Sequence, residues 1–303
     1  MFNKNDTVCF LGDSITTHGH FIKEVFEFLA KNHKEDRVKM FNCGVPGDAA
    51  CRTVKRLYED CLILNPQKVV LMLGANDIER SLYMPGKEIE NVEEKRKHFI
   101  DLYKTHIREI VENCIAFGAE VILCTPTPTE EEKSPAKGCN VPIGLCIDFL
   151  KEFAKEKNLM LIDYNTTLSK MYDKNVISED GLHPTETGHH VMAQLFLKAL
   201  GYIKECDFDT MPEYSQKNIE RFNAEQTYRD VRFLEWSSMF DFNMSNPDAT
   251  TEEKKEVARQ KRQDGIDTKA DWFVKSADNY IKYIDKVPKL QAEVLKKTIE
   301  MYD

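Results

Sequence analysis

The sequence predicts an α/β fold, a parallel sheet covered by helices on both faces, followed by a helical extension. Three observations predict it. Short apolar runs rich in β-branched residues alternate with amphipathic stretches. Those stretches are long enough to serve as crossover helices between parallel strands. Glycine, which tight loops need, is concentrated early: 12 of the 13 lie before residue 205 and only Gly265 after it.

Taken in order, strands are expected near Thr7–Leu11, Val38–Asn42, Lys68–Leu73, Ala119–Thr125 and Leu159–Tyr164. Helices are expected near Phe21–Asn32, Ala49–Leu64, Val92–Phe117, Pro142–Glu156 and Glu186–Leu200. After about residue 205 Glu, Lys, Ala and Gln become frequent and no strand-like run appears. The chain therefore reads as a domain over 1–205 and a helical extension over 206–303. Large apolar residues recur there at helical intervals, among them Phe233, Trp236, Trp272, Phe273, Tyr280 and Val294, with helices expected to end or kink near Pro247 and Pro288. So thin an apolar stripe is expected to pack on the first domain or on a second subunit, giving a possible homodimer through the C-terminal helices or partial cover over the pocket.

Composition narrows the function. With 42% hydrophobic residues in 303, the chain can build a sizeable core. The net charge of −9 offers no basic face for nucleic acid. No signal-peptide pattern and no apolar run of membrane-spanning length is seen, so a cytoplasmic location is expected. Nine cysteines without a C-x-x-C pair indicate buried thiols rather than disulfides or zinc.

One stretch raises a chemical question. The apolar run VCFLG stops at Gly12-Asp13-Ser14 and turns polar at once. In open parallel sheets ligands bind beyond the carboxyl ends of the strands, and Ser14 follows the first strand directly. Two more loops fall in equivalent places: NCGVPGD, Asn42 to Asp48, after the second strand, and LGANDIE, Leu73 to Glu79, after the third. A serine hydroxyl needs a base to become a nucleophile, and the base needs an orienting group. EDGLHPTETGHH supplies Asp180 and His183, three residues apart. Backbone N–H groups of Ser14 and Gly47 and the Asn76 side-chain amide are candidate donors to an oxyanion.

These four blocks, G-D-S-I at Gly12 to Ile15, Gly47 within NCGVPGD, G-x-N-D at Gly74 to Asp77 and D-x-x-H-P at Asp180 to Pro184, resemble those of the SGNH hydrolases of the GDSL esterase and lipase group. The match spans roughly residues 7 to 200. The resemblance implies a flavodoxin-like three-layer α/β/α sandwich with a five-stranded parallel sheet in the order 2-1-3-4-5. It also implies ester hydrolysis through an acyl-serine intermediate without metal or cofactor, with Ser14 as nucleophile, His183 as base, Asp180 as its orienter and Ser14, Gly47 and Asn76 as the oxyanion hole. Ile15 stands where the family name has Leu.

Each residue has a plainer reading beside this one. Ser14 is also a favoured helix N-cap, Asp13 suits a loop brace, and Gly44 competes with Gly47. His18 and His20 either line the pocket or imitate a metal pair, although no carboxylate cluster accompanies them. His189 and His190 suit packing or the surface. The expected function is hydrolysis of a short acyl ester, most plausibly the acetyl ester of a carbohydrate; the mixed, polar loops at the site favour the short acyl group, and no residue names the alcohol. Lysophospholipase or thioesterase chemistry is the near variant, and a non-catalytic binding protein on a retired hydrolase fold is the reading from another class. The expected partner is a small acyl ester, with neither nucleic acid nor membrane.

Overall fold

β1 (Thr7–Gly12) runs through the interior of the sheet, and all six of its residues are buried. The computed structural model describes residues 1–86 and 88–303. It divides into two compact units, Met1–Glu213 and Tyr214–Asp303.

In the first unit β1, β2 (Lys39–Gly44), β3 (Lys68–Met72), β4 (Glu120–Cys124) and β5 (Met160–Ile162) form one sheet, all pairs parallel, in the order β2-β1-β3-β4-β5. This is the flavodoxin-like order expected from the resemblance. Near-continuous apolar strands such as VCFL in β1 and VVLM in β3 are what a sheet buried on both faces requires. Gly12 pairs with Gly44 and with Met72, so the ends of β1, β2 and β3 stand side by side.

The helices of this unit are α1 (Ser14–His18), α2 (His20–Asn32), α3 (Ala50–Asp60), α4 (Val92–Ala116), α5 (Asn140–Lys157), α6 (Asn165–Leu168) and α7 (Glu186–Ala199). The chain steps from β1 outward to β2 and then back over β1 to β3. Right-handed crossovers place the helix of the first step on one face and α3, α4 and α5 on the other. Accordingly α2 packs on α7, whereas α3 packs on α4 and α4 on α5. The step over β1 makes its carboxyl end the switch point where a crevice opens.

All nine cysteines are free thiols. Cys9 of β1, Cys43 of β2 and Cys61 after α3 bring their sulfurs within 4.8 Å of one another in the interior. Burial pushes the Cys9 thiol well above its usual pKa.

The second unit is helical: α8 (Gln216–Phe233), α9 (Phe240–Ser245), α10 (Thr251–Asp267), α11 (Asp271–Tyr283) and α12 (Val287–Glu300). α8 packs on α11 and α12, and α10 on α11. Phe233 meets Trp272 and Phe273 at ring distances of 5.4 and 5.7 Å, so part of the apolar stripe is satisfied within the unit. Pro247 lies between α9 and α10 as expected. Pro288, expected to end or kink a helix, instead stands in the first turn of α12, where its missing N–H costs nothing. No described helix is long and apolar enough to cross a membrane.

Candidate active site

Ser14 opens α1 directly after β1, and its Oγ lies 2.8 Å from His183 Nε2. Its alternative role as a helix cap falls to its neighbour. Asp13 is the N-cap of α1, accepting the Ile15 N–H at 3.0 Å, and Ser14 is left with its hydroxyl facing His183.

His183 sits in a turn that the chain over-determines. Its Nδ1 lies 2.6 Å from Asp180 Oδ2, while Asp180 Oδ1 accepts from the backbone N–H of Leu182 and His183 and from the Ser178 hydroxyl. The turn is closed by Ser178 N–H on the His183 carbonyl and by an isolated bridge between Ile177 and Pro184. Gly181 has φ +71°, and a Cβ there would fall 2.5 Å from the Ser134 nitrogen, so glycine alone fits. Partial burial acts to raise the Asp180 pKa, but the donors from His183, Leu182 and Ser178 outweigh it and hold the carboxyl well below the usual range. Asp180 thus stays an acceptor, so Nδ1 keeps the proton and Nε2 presents a lone pair to Ser14.

The other two blocks meet at Asn76. Its Nδ2 donates to the Asp48 carbonyl at 3.0 Å and lies 3.4 Å from Asp13 Oδ2. One amide therefore joins the neighbour of Gly47 to the neighbour of Ser14. Gly47 has φ +74° in the loop between β2 and α3, and Arg52 donates to its carbonyl. Gly44, the competitor, ends β2, and its N–H is occupied by Asn42 Oδ1 at 2.9 Å.

Beneath these loops lie three buried carboxylates. Burial raises Asp13 to about 7, with the charges of Asp77 and Asp48 adding to it, and burial likewise raises Asp77 to about 7. Asp77 Oδ1 accepts the Ala50 N–H at 2.7 Å, which fixes the start of α3. Asp48 is matched by the fully buried Arg56, which also reaches Asp60 and the carbonyls of Gly12 and Cys43.

The remaining histidines divide. His18 and His20 are near the site, the His18 ring 5.1 Å from that of His183 and the His20 ring 5.4 Å from that of His189. They form no three-ligand group with a carboxylate or thiol; among the described residues only the Cys9, Cys43 and Cys61 trio meets that spacing. His189 and His190 are both buried. His189 stacks on Phe21, neither ring nitrogen has a hydrogen-bond partner, and burial pushes its pKa well down, so it stays neutral. His190 binds Glu24 through Nδ1 and the Asp207 carbonyl through Nε2, tying α7 to α2.

Sequence reasoning missed Arg56 and Asn42. Asn42 donates to the Thr16 carbonyl at 2.6 Å and so holds α1 against the end of β2. The signal for Asn42 was an amide within an otherwise apolar buried strand. For Arg56 it was the spacing to Asp60, four residues on.

A model of the GDSL-like lipase/acylhydrolase family matches residues 8–196. The chain belongs to the GDSL-like lipase/acylhydrolase family. This GDSL-like acylhydrolase is a carboxylic ester hydrolase. It is 26% identical over 218 residues to an acetylxylan esterase of Geobacillus stearothermophilus, covering 65% of this chain and 94% of that protein. It is 27% identical over 150 residues to an acetylxylan esterase of Xylanibacter ruminicola, covering 47% of this chain and 30% of that longer protein. Among solved structures, BT4096, a gut microbial diltiazem-metabolizing enzyme, is similar over 100% of this chain and 95% of its own at a TM-score of 0.79 and 16% identity. The acetylxylan esterase Axe2 of Geobacillus stearothermophilus is similar over 66% of this chain and 96% of its own, at a TM-score of 0.57 and 21% identity. At such identities the structural likenesses speak for the fold. The first extends through the helical unit of the GDSL-like acylhydrolase, and the second is confined to about the length of its sheet unit.

Proposed function

We propose that this esterase removes short acyl groups, acetyl foremost, from carbohydrate esters through an acyl-serine intermediate. The observation that carries the reading is the unbroken row Asp180 Oδ2, His183 Nδ1, His183 Nε2, Ser14 Oγ, with contacts of 2.6 and 2.8 Å. His183 Nε2 takes the Ser14 proton as Oγ attacks the ester carbonyl, and Asp180 holds the imidazolium that results. The carbonyl oxygen becomes an anion facing the N–H groups of Ser14 and Gly47 and the Asn76 amide. Collapse breaks the bond to the alcohol, which leaves with the proton from His183. Water then loses a proton to His183, attacks the acyl-serine, and releases the acid while Ser14 regains its proton.

The carbohydrate alcohol rests on two relatives named as acetylxylan esterases and on the polar character of the loops around Ser14. The experiment is acetate release from acetylated xylo-oligosaccharides, paired with fluorophosphonate labelling. Expected are acetate release and stoichiometric labelling at Ser14, both absent in Ser14→Ala. Labelling without acetate release would remove the carbohydrate; hydrolysis persisting in Ser14→Ala would remove the serine mechanism.

A further inference from the structure

A cavity of about 200 Å³ is lined by residues of α3, α4 and the loop after β3, and Asn76 forms part of its wall. Cys51, Phe99 and Leu102 give it apolar surface, and Arg52 and Glu79 carry charge into it. Glu79 has φ +52°, a conformation uncommon for a side-chain-bearing residue, and its N–H returns to the Asn76 carbonyl at 3.1 Å. That turn keeps Asn76 and Glu79 on one wall. Such strain is retained where the surrounding structure holds it in place, often at ligand sites.

The position of the cavity sorts the two halves of an ester. α3 and α4 cover the face of the sheet opposite α2 and α7, and His183 arrives on the turn that leads into α7. Cavity and imidazole therefore stand on opposite faces of the sheet, and Asn76, a candidate oxyanion donor, joins the cavity wall to the loops around Ser14. In acyl transfer the leaving oxygen must lie against the group that protonates it, and the carbonyl oxygen against the N–H donors. The third substituent of the carbonyl carbon, the acyl chain, is left pointing away from His183.

We propose that the cavity between α3 and α4 is the acyl pocket, that it admits chains of about six carbons, and that Phe99 and Leu102 set its depth. This rests on Ser14 being the nucleophile. A water-sized group occupies roughly 30 Å³, so the space accommodates on the order of six heavy atoms, and an acetyl group fills only its mouth. Asp77 also lines the cavity, and its Oδ2 has no hydrogen-bond partner.

The test compares kcat/KM for p-nitrophenyl acetate, hexanoate and decanoate in the full chain, in Phe99→Trp, which fills the space, and in Phe99→Ala, which deepens it. The unaltered chain should cleave acetate and hexanoate within about tenfold of each other and decanoate at least tenfold more slowly than hexanoate. Phe99→Trp should lower the hexanoate-to-acetate ratio at least tenfold, and Phe99→Ala should raise the decanoate-to-hexanoate ratio at least fivefold. The ratio between two acetates of different alcohols should stay within twofold. Acyl ratios that move in neither variant, or an alcohol ratio that moves instead, would overturn the assignment. Leu102→Phe repeats the filling test if Phe99→Trp does not fold. Failure of the serine reading shows separately, as absent fluorophosphonate labelling of Ser14 in the unaltered chain.

Discussion

The Arg56 guanidinium lies 2.7 Å from Asp48 Oδ2, with both side chains 1% exposed. Asp60 lies on the same guanidinium at 2.6 Å. Its remaining N–H groups reach the carbonyls of Gly12 and Cys43, so one cation clamps the strand ends from which Ser14 and Gly47 hang.

Arg56→Met should therefore cost about 3–5 kcal/mol, because it strands two buried carboxylates without a partner. Denaturant unfolding would measure it. Adding Asp48→Asn and Asp60→Asn to the same chain should recover part of the loss; a single-variant loss below about 1 kcal/mol would show that water already compensates these charges.

Asp77 gives stability a pH dependence of definite sign. Its folded pKa is about 7, whereas an unfolded carboxyl titrates near 3.9. Between those values the native state keeps a proton that the unfolded state has lost, so the contribution of this group is full below about pH 4 and is lost as pH rises through about 7. Asp77→Asn cannot ionise. Its stability relative to the parent should climb by on the order of 2–4 kcal/mol from pH 4 to pH 8. Thermal melts across that range would show it, and a gap that stays constant would contradict it.

Asp180→Asn replaces an acceptor by an amide able to face Nδ1 with its donor, which favours the wrong imidazole tautomer. In the serine protease template that change costs about 10⁴ in kcat. Here a loss on the order of 10²–10⁴ is expected, with KM and melting temperature little altered because Asp180 is half exposed. A kcat within threefold of the parent would mean that the turn alone orients His183.

Gly47→Ala separates backbone from contact effects. A Cβ there meets nothing within 4 Å, so the cost is conformational, about 1–2 kcal/mol for the left-handed region. As the backbone relaxes, the Gly47 N–H should leave its place and lower kcat on the order of 10²-fold. Full activity with only the stability loss would take Gly47 out of the oxyanion hole.

The sheet was legible because each strand is a short apolar run and each crossover an amphipathic one, and both periodicities are local. The His183 turn was legible for the same reason, since Asp180 and His183 lie three residues apart. The roles of Asn42 and Arg56 were not: the Arg56–Asp60 spacing suggests an ion pair, but the groups that tie these side chains to the site, Thr16 and Gly12, are 26 and 44 residues away. Nothing near them in sequence reveals that a strand amide will hold a helix or that a helix cation will be sealed from water. Which residue caps α1 was open in the sequence: Asp and Ser are both good caps, and only the path of the chain out of β1 decides for Asp13. At Pro288 the sequence suggests a helix end or kink, yet proline disrupts interiors and opens first turns alike, and the sequence alone leaves its position in the helix open.

Cys9, Cys43 and Cys61 belong to three separate segments that meet only when the sheet is assembled. While folded all three are shut away from oxidants; burial holds the Cys9 thiol protonated, and the hydrogen bond with Cys43 does the same for Cys61. Denaturation in air would free all three to pair with one another or with the six remaining cysteines, and most such crosslinks would hold strands out of register. Thermal unfolding of this enzyme should consequently be hysteretic, reversible under a reductant and progressively less so without one, with the lost fraction growing with the time spent unfolded.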